Sequence, residues 1–357
     1  MIGDKGLHVL LMPLYGIGDA LMATPAIRNI KERLGARITF LHMFKTTRDI
    51  MLNNPNVDEN IHFPFLEAGK TAGVRYLLGL RGRFDVSINF YPSNRKDYNM
   101  AAFLAGCPVR IGHRYRIYDL RELNFLKNRT FMESDDLHNV EEDLRLLSFL
   151  GISDPEAYPL EIHLAPEEEE AATMWLVQRG IGGRRLVGLH PGSSLFKESG
   201  KKRWPQEKFS ALVGRLAEAR PDIAFLLFGG PEERELKEAV KAGCKAAEAH
   251  MVEAPLIRET AALIRKCSLF VTNDSGLMHI AAAGQVPTVA IFGPTNPKWL
   301  HPWKCPSKVV RTGRECGPCF RYSPIPQRCI EGLDFSCLGD IDVNEVFEAA
   351  LSLPQQE

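Results

Sequence analysis

No charge of one sign dominates this chain of 357 residues: 44 Lys and Arg stand against 44 Asp and Glu. That balance removes the bulk electrostatic case for a nucleic-acid binder or a strongly basic membrane protein, so a charged partner has to be recognised locally. Long apolar runs are missing too. A stretch such as Ile223 to Phe228 is far too short to span a bilayer. Met1 to Gly6 carries two charges ahead of a short apolar strand, and no small-residue cleavage site follows. The expectation is no signal peptide and a cytoplasmic protein attached to a membrane at most peripherally. Eight cysteines in a chain of this length do not make a disulfide scaffold. His-Glu-x-x-His, a Walker loop and Gly-x-Ser-x-Gly are all absent, so zinc proteolysis, P-loop hydrolysis and serine hydrolysis lack their usual parts. Gly16-Ile17-Gly18 lies where a dinucleotide loop would sit, but Leu21 takes the place of the third glycine. The acidic residue expected about 20 positions on is also missing, which argues against a nicotinamide enzyme.

What is present is an alternation of apolar strands and helical stretches. Leu7 to Met12 reads as a strand, followed by a Pro/Gly loop, a helix from about Asp19 to Leu34 and a strand at Arg37 to Leu41. Strand-like runs recur at Val86 to Phe90 and Val109 to Gly112, and a helix at Leu137 to Leu150 ends on Gly151. A segment punctuated by Pro155, Pro159 and Pro166 then leads into Glu167-Glu168-Glu169-Glu170, read as a solvated helix N-terminus favoured by the dipole. A second series follows: strands at Leu186 to His190, Ala224 to Phe228, Leu269 to Thr272 and Thr288 to Phe292, with helices at Gln206 to Ala219, Glu232 to Ala242 and from Ser275. The length suits two domains, at 1–165 and 166–357, with the last helix free to pack back on the first. The predicted class is α/β: two Rossmann-like doubly wound domains facing across a cleft, with ligands at the carboxyl ends of the strands. No sequence repeat links the halves.

Several strand-to-helix junctions carry chemistry. Asp19 lies where glycine lets another molecule approach the backbone and where a helix dipole keeps a carboxylate ionised; an ordinary helix cap is the alternative. His190-Pro191-Gly192-Ser193-Ser194 and Lys201-Lys202-Arg203-Trp204-Pro205 bring hydroxyls and cations that suit a diphosphate leaving group, or make only a solvated basic loop. Glu232 or Glu233, after Phe228-Gly229-Gly230-Pro231, could take ribose hydroxyls. In Thr272-Asn273-Asp274-Ser275-Gly276-Leu277-Met278-His279 the N–H groups of Ser275 to Leu277 open a helix toward an anion, Asp274 should face sugar hydroxyls, and His279 shares the Ser275 face. A capped helix with a buried His is the plainer alternative. Asp340-Ile341-Asp342 reads as a cap and not a metal site. Arg110, His113, Arg114 and Arg116 form a basic stretch suited to carboxylates and phosphates, or a solvated loop. Cys316-Gly317-Pro318-Cys319, Cys329 and Cys337 could hold a structural zinc, close as disulfides or stay reduced.

Gly18-Asp19-Ala20-Leu21-Met22-Ala23-Thr24-Pro25-Ala26-Ile27, Lys202-Arg203-Trp204-Pro205, Asn273 to His279 and Phe292-Gly293-Pro294-Thr295 together resemble glycosyltransferase family 9, which contains the ADP-heptose:lipopolysaccharide heptosyltransferases. The cysteines resemble the tail of its heptosyltransferase II branch, with a longer insert between Cys319 and Cys329. The resemblance implies a GT-B fold and an inverting, metal-independent transfer of heptose from ADP-L-glycero-D-manno-heptose to the lipopolysaccharide inner core. No cofactor is required, and contact with the inner face of the cytoplasmic membrane is peripheral. It implies Asp19 as general base and Lys202 as phosphate-binding lysine. Ser193, Ser194, Glu232, Asp274, Ser275, Gly276, Leu277 and His279 fall at the donor, and Gly18, Arg110, Arg114 and Arg116 at the acceptor. A transferase for another sugar, or a nucleotide-sugar epimerase or hydrolase of the same fold, is the alternative.

Overall fold

The computed structural model describes residues 6–12, 16–193, 202–244, 247–322 and 328–354. The chain divides into two units, one running to His163 and joined by Tyr322, the other from Leu164 to Arg321 and continuing from 328 onward. In the first unit the strands are β1 (His8–Leu11), β2 (Arg37–His42), β3 (Glu59–His62), β4 (Val86–Ile88), β5 (Val109–Arg114) and β6 (Arg129–Met132). They form one parallel sheet in the order β3-β2-β1-β4-β5-β6. The second unit carries β7 (Arg185–His190), β8 (Ile223–Leu227), β9 (Ala249–Met251), β10 (Leu269–Asn273), β11 (Thr288–Ile291) and β12 (Ser307–Val310). Its parallel order is β12-β11-β10-β7-β8-β9.

Counted within each unit, both sheets follow the order 3-2-1-4-5-6, the doubly wound Rossmann arrangement, so a structural repeat exists where no sequence repeat does. Each reverses direction of winding once, between β1 and β4 in the first unit and between β7 and β10 in the second. The loops leaving these strands diverge at that point and open a crevice at the carboxyl ends. Gly16 and Asp19 follow β1. His190 ends β7, and Asn273 ends β10.

Local physics explains the departures from the sequence reading. The helix expected from Asp19 to Leu34 is two helices, Ile17–Met22 and Thr24–Leu34, because Pro25 has no N–H to continue the ladder and is tolerated only in a first turn. The helix expected at Leu137 to Leu150 is α-helical over Asn139–Arg145 and tightens to a 3-10 turn before Gly151, whose φ of 85° ends it. The acidic run is not merely solvated. Glu168 takes two hydrogen bonds of 2.6 Å from Arg258, and Glu169 pairs with Arg265 and Lys266, so the helix Pro166–Gln178 is fastened to the helix Ile257–Arg265. The final helix, Val343–Ser352, belongs to the second unit. Its Val346, Phe347 and Ala350 join the second unit's core with Leu216, Phe225, Val289 and Ile291, and Asp342 caps it through the N–H of Asn344 at 2.7 Å. Among the described residues no helix is long and apolar enough to cross a membrane.

Candidate functional site

In the second unit, three loops meet at the winding reversal and are stitched together by one side chain. Asn273, at the end of β10, accepts the Trp204 N–H at 2.9 Å and donates to the carbonyls of Pro191 and Gly192 at 2.8 and 3.1 Å. Trp204 is buried, with its indole N–H on the Ile341 carbonyl at 3.1 Å, and so anchors Lys202 and Arg203 just before it. His190 bridges two further loops. Its Nε2 lies 3.1 Å from Glu233 Oε2 and its Nδ1 3.0 Å from Ser275 Oγ. A carboxylate only accepts, so Nε2 carries the proton; in the neutral ring Nδ1 then accepts from the Ser275 hydroxyl. Glu233 also receives Arg203 Nη2 at 3.1 Å and the Gly230 N–H at 3.1 Å. Burial alone would raise its pKa, but His190 and Arg203 hold it below the usual glutamate range.

These contacts decide which groups face outward. Ser275 is the N-cap of the helix Gly276–Ala283, yet its side chain makes no capping bond because it is engaged by His190 and by Thr272 Oγ1 at 3.2 Å. The first-turn N–H groups at Gly276 and Leu277, both half-buried, therefore have no side-chain cap and keep the anion-binding character of a helix start. Lys202 is placed with its Nζ 4.0 Å from the centre of the Phe320 ring. Burial lowers its pKa and Asp274 counters this; in turn burial raises the Asp274 carboxyl and Lys202 counters that, so the two charges are neighbours. Glu232 is exposed while Glu233 is buried and occupied, which leaves Glu232 as the outward carboxylate of the pair. Ser193 is buried, its carbonyl taken by Arg203 at 2.8 Å, and Ser194 lies outside the described residues. His279 packs inward at 3% exposure, and its burial, with His301 nearby, brings its pKa down to about 4. It is a neutral histidine beneath the turn, the plainer of the two alternatives.

In the first unit the N-cap of the helix after β1 is Gly16, and Asp19 is the third helical residue, so the carboxylate is not the simple cap that the sequence also allowed. It is half-buried, beside Gly18, and its charge reaches Tyr98 and Asp143. Asp143 is completely buried, which pushes its carboxyl well above the usual range, although its Oδ1 takes the Tyr91 N–H at 2.6 Å. The basic stretch is largely self-satisfied. Arg110 donates to the Leu126 and Cys107 carbonyls, each at 2.7 Å, Arg114 pairs with Asp119, Arg116 pairs with Asp135, and His113 is buried against Glu142 at 3.1 Å. Cys316, Cys319, Cys329 and Cys337 line one cavity in the second unit with Gly293, Pro294 and Arg314. Among the described residues no group of three or more metal-ligating side chains is gathered to hold an ion.

Sequence reasoning named His190, Arg203 and Asn273 only as letters of motifs and gave them no part. His190 and Asn273 find partners 43 to 85 positions away and Arg203 reaches Glu233 30 positions on, and no local pattern reports such pairings.

Two relatives show how much of the chain is shared. Lipooligosaccharide heptosyltransferase 2 of Campylobacter jejuni is 27% identical over 351 residues, covering 94% of this chain and 95% of the relative. Lipooligosaccharide heptosyltransferase 2 of Haemophilus influenzae is 25% identical over 318 residues, covering 85% and 88%. Among solved structures, a family 9 glycosyl transferase from Veillonella parvula matches with a TM-score of 0.82 at 21% identity, over 99% of this chain and 98% of that one. The ADP-heptose lipopolysaccharide heptosyltransferase II of E. coli matches with a TM-score of 0.71 at 22% identity, over 96% and 97%, which identifies the paired sheets as the GT-B fold. Residues 80–328, most of the chain and all of the loops that surround Asn273, match glycosyltransferase family 9 (heptosyltransferase). With its doubly wound units and its uncapped helix start at the second reversal point, the chain belongs to that family and is a glycosyltransferase.

Proposed function

We propose that this enzyme transfers L-glycero-D-manno-heptose from its ADP derivative to the inner core of lipopolysaccharide, by one displacement that inverts the anomeric centre. The observation that carries the reading is the second unit's constellation of an uncapped helix start at Gly276 and Leu277, the Lys202 ammonium and the outward Glu232. An N–H cradle with a cation suits a diphosphate leaving group, and a carboxylate suits ribose hydroxyls. The relatives named as heptosyltransferases 2 support the sugar and the acceptor. Asp19 takes the proton of the acceptor hydroxyl as it attacks the anomeric carbon, and Lys202 with the Ser275 turn holds the departing ADP. No metal takes part in this step. The acceptor is a lipid, so the enzyme works at the inner face of the cytoplasmic membrane as a peripheral protein.

The test is mass spectrometry of products from a panel of nucleotide sugars with truncated lipopolysaccharide acceptors. Heptose transfer from the ADP sugar alone is expected, with slow ADP release when acceptor is omitted. Transfer from UDP- or GDP-sugars in its place would overturn the donor assignment, and rapid hydrolysis without acceptor would point to a hydrolase. In the same assay Asp19→Asn is expected to lower kcat by about 10²–10⁴-fold, the usual worth of a general base, with little change in ADP affinity. Near wild-type turnover by that variant would remove Asp19 from the mechanism.

A further inference from the structure

We propose that one face of the first unit, built from residues 95–129, docks on an anionic lipid surface; this rests on the reading that the acceptor is a lipid. Two independent properties concentrate there. Eight Lys and Arg against three Asp and Glu give these 35 residues a surplus of five positive charges, and of three once the buried Lys127 and the Arg116 paired with Asp135 are set aside, in a chain whose formal charge is zero. The same tenth of the sequence holds Met100, Phe103, Ile117, Tyr118, Leu120 and Phe125, six of the eighteen exposed large apolar side chains among the described residues. Leu120 is 71% exposed and Phe125 52%.

Hydrogen bonds join the parts of the segment to one another. Asn94 Nδ2 donates to the Ile117 carbonyl at 2.9 Å and Asn99 Nδ2 to the Glu122 carbonyl at 2.6 Å, which ties the turns at 117–126 to the helix Lys96–Leu104. Arg110 reaches both, with its guanidinium 5.6 Å from the Phe103 ring centre and its Nε on the Leu126 carbonyl at 2.7 Å. Two of the acids are withdrawn from the surface. Asp119 is held by Arg114, and Glu122 is buried, where its carboxylate takes the Lys96 N–H at 3.0 Å. Lys96, Arg121 and Arg129 remain exposed beside Asp97.

Apolar tips on short turns, interspersed with cations, match a lipid headgroup layer: the tips enter the acyl boundary and the cations meet phosphates. A second copy of the chain would bring the same positive face against itself, which like charges oppose. The full chain should therefore sediment with vesicles rich in phosphatidylglycerol, lose that binding as salt rises, and ignore vesicles of phosphatidylcholine. The double variant Leu120→Ser, Phe125→Ser should bind anionic vesicles at least about 10-fold more weakly. Its melting and its transfer to a delipidated, soluble acceptor should be unchanged. Wild-type binding no stronger to anionic than to zwitterionic vesicles would overturn the proposal. So would undiminished binding by the double variant, or loss of a dimer in that variant with no change at vesicles. Vesicle binding is read without sugar or acceptor, so failure of the donor or acceptor assignment leaves this outcome separate.

Discussion

Gly192 shows how one residue can be dictated by a side chain from another loop. A Cβ at this position would lie 1.9 Å from Glu233 Oε1 and 2.2 Å from its Cδ, far inside contact distance. The carboxylate cannot yield without leaving His190, Arg203 or the Gly230 N–H. Gly192→Ala should accordingly cost about 1–3 kcal/mol, the usual price of forcing atoms into a filled site. It should also weaken ADP binding, because His190 then no longer holds the Ser275 hydroxyl away from the helix start. Gly214 gives the control: it lies in the helix Gln206–Ala219, and a Cβ there meets nothing within 4 Å. Gly214→Ala should raise stability by up to about 1 kcal/mol through helix propensity alone. Thermal melts and calorimetric titration with ADP read both variants. Equal behaviour of the two would show that the Glu233 network does not set the shape of the site.

At the scale of elements, the two glutamates that fasten the helix Pro166–Gln178 differ in worth. Arg258 is 5% exposed and donates to both oxygens of Glu168, so Glu168→Ala removes the charge partner of both bonds from a buried guanidinium and should cost about 3 kcal/mol, near the lower end for a broken buried pair. Glu169 meets Arg265 and Lys266 nearer the surface, and Glu169→Ala should cost under about 1 kcal/mol. The Arg258 hydrogen bond lowers the Glu168 pKa in the folded protein. A depressed carboxylate pKa contributes stability that is present above the unfolded value and lost as pH falls through the folded one. The gap between wild type and Glu168→Ala should therefore be full at neutral pH and narrow in acid below the ordinary glutamate range. A gap independent of pH would make the loss one of packing. The sequence pattern disclosed all eight inner strands and none of the outer four, β3, β6, β9 and β12. The reason is position. Inner strands such as β8 and β10 are buried along their whole length and read as unbroken apolar runs, whereas Glu59–His62 and Ser307–Val310 lie at sheet edges with polar, half-exposed residues. The turn at Ser275 was legible for a similar reason, since a strand end, a small hydroxyl residue and a glycine stand close together. The His190–Glu233–Arg203 network was not, because only the folded loops bring its members together.

Across the molecule, each unit owns a complete sheet and core, so ligand binding should be felt by one sheet and not distributed. In the proposed reaction ADP contacts only groups of the second unit: Lys202, Glu232 and the turn from Ser275 to Leu277. A ligand that binds the folded form alone stabilises it by about 2.7 kcal/mol at a hundredfold excess over its Kd, a slowing of about 100-fold in exchange that requires unfolding of the bound unit. Hydrogen exchange followed residue by residue on the whole chain should show that slowing in β7, β8, β10 and β11, buried throughout except at Arg185. The helix Ile17–Met22 and strands β1 and β4 should exchange at their ligand-free rates. Equal slowing in both sheets would mean that the two cores unfold as one cooperative body, and a single free energy of unfolding would then describe the chain. Slowing confined to the first sheet would place the nucleotide on the Asp19 side and reverse the assignment of donor and acceptor. Lys202→Ala separates the remaining cases. It removes the cation that meets the diphosphate in the proposed reaction and that takes no part in the sheet ladder. It should therefore reduce the ADP-induced slowing in the second sheet while leaving its ligand-free exchange, and all of the first sheet, unchanged.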